Sequence, residues 1–366
     1  MGEAAYVVLT PILLNRGLGL LGPSFRAWIL GVRMVNILDV AREAGVSKTT
    51  VSYVISGNSK ISRKTTDKVR KAMRKLGYTV NHSARALSTS RTMTLGVATS
   101  DIEDVVSSPL LKGIYFTGLS SHARKLGYDL LLMVDEDGRK EIEDAALARK
   151  IDGLILMDVN SHDNRVATAL AAGIPTVLFG MPEQTGGMDV VDTNFEQAAA
   201  DLVTHFALNG HRRILLISSF DANDPNPLNY SLRFARSANM EAERNGLRIE
   251  REWFGGQPGW SLRRAIQRHP GVTGVIVEDQ EMAVGARMEL TQEEVAVPGG
   301  ISVAVLLADV VYEKMRMPVS TVTINTRDIA SAVVDTLLWR IEHPGSEPRT
   351  TLVNTTWHEE GSILNL

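Results

Sequence analysis

Val35-Asn36-Ile37-Leu38-Asp39-Val40-Ala41-Arg42-Glu43-Ala44-Gly45-Val46-Ser47-Lys48-Thr49-Thr50-Val51-Ser52-Tyr53-Val54-Ile55-Ser56-Gly57 reads as two short helices around a tight turn. Asn36 is placed to cap the first helix, and Val40, Ala41 and Ala44 give it an apolar face. Gly45 takes the turn, in a conformation that a residue without Cβ enters cheaply. Ser47 caps the second helix, whose apolar positions Val51, Val54 and Ile55 follow a period of about 3.6 residues. That spacing leaves Lys48, Thr49, Ser52 and Tyr53 on the solvent side near the N-terminal end. Packing alone gives no reason for hydrogen-bonding groups there, whereas side chains on the first turns of such a helix are suited to reading base edges in a major groove.

A third helix is signalled by Ser62 as cap, by Val69, Ala72, Met73 and Leu76 as its buried stripe, and by Gly77 as its end. Lys64, Lys68, Arg70, Lys71, Arg74 and Lys75 crowd its other side. A run of this kind is ordinarily a solvated helix face, and it supplies general attraction to phosphates rather than sequence recognition.

The net charge of −3 over 366 residues hides a division along the chain. Residues 34–91 hold twelve Lys or Arg against three acids, a net +9, and residues 1–33 carry +2. Residues 92–366 hold twenty-four basic residues against thirty-eight acidic ones, a net −14. A basic module attached to an acidic body is the electrostatic footprint expected when one small domain grips phosphates and the remainder avoids them.

With 44% hydrophobic and 22% charged residues the composition is that of a globular protein, long enough for a small domain plus a bilobal α/β unit. The chain has no Cys, which excludes disulfides, thiolate metal sites and Cys nucleophiles and fits a reducing cytoplasm. The apolar stretch Ala4–Leu14 is interrupted by Pro11, and Arg16 and Arg26 follow, well short of the roughly 20 residues of a spanning helix. Gly17, Gly19 and Gly22 match a dinucleotide-binding glycine pattern, but the βαβ unit that gives the pattern meaning does not follow. Residues 1–33 therefore read as an unstructured extension, or as a start assigned upstream of Met34.

Asp39-Val40-Ala41, Ala44-Gly45-Val46-Ser47, Thr50-Val51-Ser52, Leu76-Gly77-Tyr78 and Asn81 together resemble the DNA-binding headpiece of the LacI/GalR family. The resemblance implies an all-α helix-turn-helix (lambda-repressor-like) headpiece over residues 34–80 and a hinge over 81–91. It further implies that the hinge folds on operator DNA and wedges an apolar side chain into the central minor-groove step, bending the duplex to enlarge the contact. Asn81-His82-Ser83-Ala84-Arg85-Ala86-Leu87-Ser88 carries that pattern, with Leu87 at the wedge position and Ala84 beside it. The implied DNA contacts are Ser47, Lys48, Thr49, Thr50, Ser52, Tyr53 and Asn58 in the headpiece, and Asn81, Ala84, Arg85, Leu87 and Ser88 in the hinge.

From Thr94 onward apolar strands alternate with helices, which implies a mostly parallel sheet with right-handed crossovers. A second series begins near Val190, so two lobes are expected. Gly127-Tyr128-Asp129-Leu130, Ile151-Asp152-Gly153-Leu154-Ile155, Gly173-Ile174-Pro175 and Val297-Pro298 resemble landmarks of the same family's sensor domain. The resemblance thus extends over essentially everything from Met34, and residues 92–366 are expected to form a two-lobed, periplasmic-binding-protein-like (type I) sensor and dimerisation domain. Its N-lobe is expected at about 92–189 and 324–349, and its C-lobe at about 190–323 and 350–366.

In the sugar-sensing members that this domain resembles, an effector sits between the lobes at the carboxyl ends of strands. The candidates here are Asp101, Asp192, Arg233, Asp279, Gln280 and Leu307. Arg233 falls where a cleft Arg is expected, with an exposed surface Arg as the plainer reading. Asp279-Gln280 stands at an Asn-Asp position of the family, and Leu306-Leu307 stands where sugar binders carry an Asp. Because an aliphatic pair accepts no hydrogen bond from a sugar, a less polar effector, a protein co-regulator or no effector at all remain open.

No P-loop, zinc-protease or nucleophile-elbow motif is present, and the eight His lack metal-ligand spacing, so neither an enzyme nor a metal or other cofactor is expected. The expectation is a cytoplasmic, nucleoid-associated regulator, most simply a repressor. It binds a double-stranded palindromic operator as a homodimer, with a higher oligomer open, answers to a small-molecule effector and has no membrane partner. The alternatives are a cleft protein that works without DNA and a nicotinamide enzyme built on residues 1–33.

Overall fold

The structure, a computed structural model, describes residues 35–55, 61–78, 91–99, 109–134, 138–218, 226–253, 260–291, 296–316 and 318–366. The chain divides into two compact units, one ending at Thr89 and the other beginning at Ser90.

Three helices are described in the first unit: α1 (Ile37–Ala44), α2 (Lys48–Ile55) and α3 (Arg63–Leu76). Local chemistry sets their ends. Asn36 Oδ1 accepts from the Leu38 and Asp39 N–H groups, and Asp39 returns the bond to the Asn36 N–H, a reciprocal cap on α1. Gly45 follows with φ +61°, donating its N–H to the Ala41 and Arg42 carbonyls, so the chain can turn straight into the next helix. Ser47 Oγ accepts from the Thr50 N–H (3.1 Å) at the head of α2, and Ser62 Oγ from the Thr65 N–H (3.3 Å) at the head of α3. Val40, Ala44, Val51, Val54, Val69 and Ala72 form the shared core, with Met73 and Leu76 half-buried at its edge.

The second unit holds two six-stranded sheets. In the first, β1 (Thr94–Thr99), β2 (Asp129–Val134), β3 (Gly153–Leu156), β4 (Thr176–Phe179), β5 (Asp189–Thr193) and β11 (Thr350–Val353) are ordered β11-β5-β4-β3-β1-β2, all parallel. The second has β6 (Arg213–Ser218), β7 (Arg248–Trp253), β8 (Gly274–Val277), β9 (Ser302–Ala308), β10 (Ser320–Ile324) and β12 (Thr356–His358). Its order is β12-β10-β9-β8-β6-β7, with β12 antiparallel.

Helices cover both faces of each sheet. On the first sheet, α4 (Pro109–Lys125) and α12 (Thr326–Glu342) bury Tyr115, Leu119, Ile329, Val333, Val334 and Leu337 against Leu95, Val97 and Ile155. The opposite face packs against α5 (Arg139–Leu147) and α6 (Asn164–Ala172) through Ile142, Ala145, Val166 and Ala169. On the second sheet, α7 (Phe195–Leu208) and α8 (Asn229–Arg244) cover one face through Leu202, Phe206 and Phe234. The other face takes α9 (Leu262–Arg268), α10 (Gln280–Thr291) and α11 (Asp309–Met315).

The chain passes between lobes later than the expected boundaries near 190, 324 and 350. β5 is paired to β4 and to β11, so Asp189–Thr193 and Thr350–Val353 belong to the first sheet, and the passages fall at Asn194, Asn325 and Asn354-Thr355. An apolar run reports that a strand exists but not which sheet adopts it, because adoption depends on partners far along the chain. The three asparagines are joined: Asn194 Nδ2 donates to Asn354 Oδ1 (3.0 Å), and Asn325 Nδ2 to the Asn354 carbonyl (2.8 Å).

Candidate nucleic-acid interface and inter-lobe cleft

Two places collect the candidate residues, one in each unit. On α2, Ser47, Lys48, Thr49 and Tyr53 are exposed, Thr50 and Ser52 are partly so, and Val51 and Val54 are buried on the core side. Ser47 and Thr50 also spend their hydroxyls on each other (2.9 Å) and on the cap, which fixes where the helix begins and how Lys48 and Thr49 project. The unpaired N–H groups and positive dipole end of the helix add to the attraction for an anion. On α3, the side chains Lys64, Lys68, Arg70, Lys71, Arg74 and Lys75 are exposed. One of these, Lys75, is committed to Glu43 (2.7 Å), tying α3 to α1. Asn58, Asn81, Ala84, Arg85, Leu87 and Ser88 lie outside the described residues, as does Asp101.

Between the lobes of the second unit is a cleft with about 830 Å³ of empty space, a figure that includes open solvent. Asp192, Asp279, Gln280 and Leu307 line it together with Leu306, so five of the residues named from the sequence meet at one place. They come from β5, the C-terminal edge of β8, the start of α10 and β9. Arg233 is 7% exposed and is not among the lining residues. Its guanidinium donates to Asp192 Oδ2 and to both oxygens of Glu196 (2.7 and 2.6 Å), so it is not the exposed surface Arg of the plainer reading.

The sequence reading missed several lining groups. Lys112 and Asp158 form an almost buried ion pair (3.1 Å), and Glu278 accepts from the Ser218 and Ser231 hydroxyls. Tyr115 packs edge-on against Phe179 with ring centres 4.7 Å apart, and Phe195 lies 5.0 Å from Tyr230. One signal was available for the carboxylates: Glu278 directly follows β8, and Asp158 stands two residues beyond β3, at the strand ends where open α/β sheets take ligands. Nothing local marks the aromatic pairs.

Electrostatics follow burial. Burial raises the Asp192 carboxyl to about 6 against the pull of Arg233, leaving it ionised at neutral pH. Burial also raises Glu278 to about 7, opposed by the bonds from Ser218 and Ser231, and lifts Asp279. Glu196, half-buried, is nevertheless held low by its bonds to Arg233. The lobes are stitched across the cleft: the Ser161 N–H donates to the Pro227 carbonyl (3.0 Å), the Asn229 N–H to the Val159 carbonyl (3.2 Å), and the Asn229 side chain bonds the Met181 carbonyl.

No group of described residues is arranged to hold a metal ion, and no described helix is long and apolar enough to cross a membrane. Two family models match the chain, "Bacterial regulatory proteins, lacI family" over residues 36–81 and "Periplasmic binding protein-like domain" over residues 203–363. The chain is 27% identical over 339 residues to the ribose operon repressor of Escherichia coli (strain K12), spanning 90% of this chain and all of that one. It is 30% identical over 259 residues to catabolite control protein A of Streptococcus mutans, spanning 69% of this chain and 74% of that protein. Among solved structures it is similar to the lac repressor dimer bound to operator and the anti-inducer ONPF, with a TM-score of 0.69 over 91% of this chain and 100% of that one, at 24% identity. That likeness carries the fold: a helix-turn-helix headpiece followed by a two-lobed, type I periplasmic-binding-like domain.

Proposed function

The chain belongs to the LacI family of bacterial DNA-binding transcriptional regulators, and on that premise we propose that it is a repressor. In this reading it grips a palindromic operator as a homodimer and answers to a ligand in the inter-lobe cleft. The observation that carries the DNA side is the face of α2, where a capped helix turns Lys48, Thr49 and Tyr53 to solvent while Val51 and Val54 hold it on the core. A dimer presenting two such helices recognises two half-sites related by a twofold axis. The exposed cations of α3 add phosphate attraction that orients the headpiece without specifying sequence.

The hinge completes the mechanism. Leu87, carried over from the family pattern, wedges into the central step, and ligand-dependent movement of the lobes biases whether the hinge is ordered. A ligand shifts that balance only through unequal affinity for the two states. With the Asn229 and Ser161 bonds across the cleft, the lobes are held in an arrangement that a ligand can favour or oppose. The ribose operon repressor and catabolite control protein A are transcription regulators, and a regulator needs no catalytic group in the cleft.

The test is recovery of genomic DNA fragments by the purified protein across a salt series, repeated with residues 34–91 deleted. A shared palindrome, lost on deletion and weakening steeply with salt, is the expected result. Failure to enrich any sequence overturns the operator reading and leaves a cleft protein that acts without DNA.

A further inference from the structure

In the cleft, on whose role as the effector site this inference depends, the charge balance is uneven. The lining cation Lys112 is spent on Asp158, and Arg233, behind the wall, is shared between Asp192 and Glu196. Glu278 and Asp279, adjacent at the end of β8, line the same cavity, and among the described residues their hydrogen-bond donors are neutral. Those donors are the Ser218 and Ser231 hydroxyls for Glu278 and the Met282 N–H (2.9 Å) for Asp279. Arg251 acts on Glu278 only through charge, its Nη2 being bonded to the Ala235 carbonyl (2.9 Å).

A second observation points to a ligand. Gln280 is 5% exposed and lines the cavity; its Oε1 accepts from the Ala308 N–H (2.8 Å), so the amide orientation is set, and its Nε2 is a buried donor with no partner among the described residues. A buried donor left unpaired is costly, and a ligand oxygen would satisfy it. Tyr115, Phe179, Phe195 and Tyr230 surround the space with rings whose faces attract positive charge, while Leu306 and Leu307 offer no acceptor to a polyol.

We propose that the ligand of this cleft is a small organic cation: an ammonium group seated against Asp279 and Glu278, an apolar body held by the aromatic rings and Leu306-Leu307, and one hydrogen-bond acceptor on Gln280 Nε2. Anions are repelled by the surplus carboxylates, and the Leu306-Leu307 wall offers a neutral polyol no hydrogen bond. Burial keeps the Glu278 carboxyl partly protonated near neutrality, so an arriving cation also displaces a proton.

Calorimetric titration of the full chain with a matched set tests this: tyramine, its neutral counterpart tyrosol, its anionic counterpart 4-hydroxyphenylacetate, the further amines octopamine and choline, and D-ribose. The expected result is saturable binding of at least one amine. Tyramine should exceed tyrosol and 4-hydroxyphenylacetate by about tenfold or more, a charge-assisted contact's worth of affinity. Asp279→Asn should cost tyramine about tenfold and leave tyrosol unchanged. Because Asp279 also caps α10, the matched ligands on the unaltered protein carry the test if that variant does not fold. The proposal is overturned if no amine binds, if ribose or 4-hydroxyphenylacetate binds more tightly than tyramine, or if tyramine and tyrosol differ by less than about threefold. DNA recovery by the same preparation keeps the two readings apart. A palindrome without amine binding defeats only the cation proposal; amine binding without a palindrome defeats only the operator reading.

Discussion

Arg233 and Asp192 form an ion pair across the junction of the two lobes, the carboxylate on β5 of the first sheet and the guanidinium on α8 of the second lobe, with side chains 7% and 5% exposed. Glu196 completes the arrangement from the first turn of α7, just past the passage at Asn194. The pair therefore couples the strand that leaves one lobe to the helix that covers the other.

Removing one partner of such a pair leaves an uncompensated buried charge. Arg233→Ala should lower the stability of the chain in urea by about 3–5 kcal/mol, whereas Arg233→Met combined with Asp192→Leu should recover most of that loss. A double variant no better than the single one would show that the ion pair itself, and not desolvation, dominates.

Glu278 gives a pH signature. Its folded-state carboxyl is raised to about 7 from an ordinary 4.5, so between those values the folded chain binds more protons than the unfolded one, and stability falls as pH rises through that window. Above it the loss is complete, on the order of 3 kcal/mol for this group at most. Glu278→Gln should reduce the dependence, leaving the part due to the raised Asp192 and Asp279 carboxyls, while keeping partners for Ser218 and Ser231. Denaturation midpoints of the two proteins between pH 5 and 8 should therefore diverge, the unaltered chain weakening toward pH 8; parallel curves would refute the raised carboxyl.

Leu87→Ala should weaken operator binding far more than binding to unrelated DNA, since it removes the kink and leaves phosphate contacts in place. Lys48 and Tyr53 should act differently, with substitutions changing which base pairs are preferred by about 1–3 kcal/mol per lost contact. Binding measured on operator and scrambled duplexes separates these outcomes, and equal losses on both duplexes for Leu87→Ala would sink the wedge.

Asn229→Ala removes the side-chain bonds from α8 to Met181 and Ser161 of the first lobe. The unliganded lobes should then spend more time apart, seen as a larger radius in solution scattering and faster proteolysis of the loops that meet there. An unchanged radius would assign the lobe arrangement to the remaining backbone bonds across the cleft.

The headpiece was legible because its instructions are local. Asn36, Ser47 and Ser62 cap helices within three residues of themselves, Gly45 supplies a positive φ that few other residues tolerate, and the apolar spacing of Val40, Val51 and Val69 names the inward face. The alternation of strands and helices was legible for the same reason. The lobe boundaries were not: Val190 begins what reads as a new series, yet it pairs with Leu178 of β4, and Leu352 pairs with Asp192 on its other side.

The sequence by itself thus determined a capped, basic helix-turn-helix, a two-lobed α/β body and a cleft whose strand ends carry Asp279, Gln280 and Leu307. Only the tertiary structure decided that Arg233 pairs with Asp192 and Glu196, that Lys112 is spent on Asp158, and that Glu278 stays buried beside Asp279 without an ion-pair partner among the described residues. Caps and helix periods act over a few residues and are written in adjacent letters. The charge balance of a cleft depends on which side chains, 41 positions apart for Arg233 and Asp192, exclude water together, and that is set only when both sheets have closed around it.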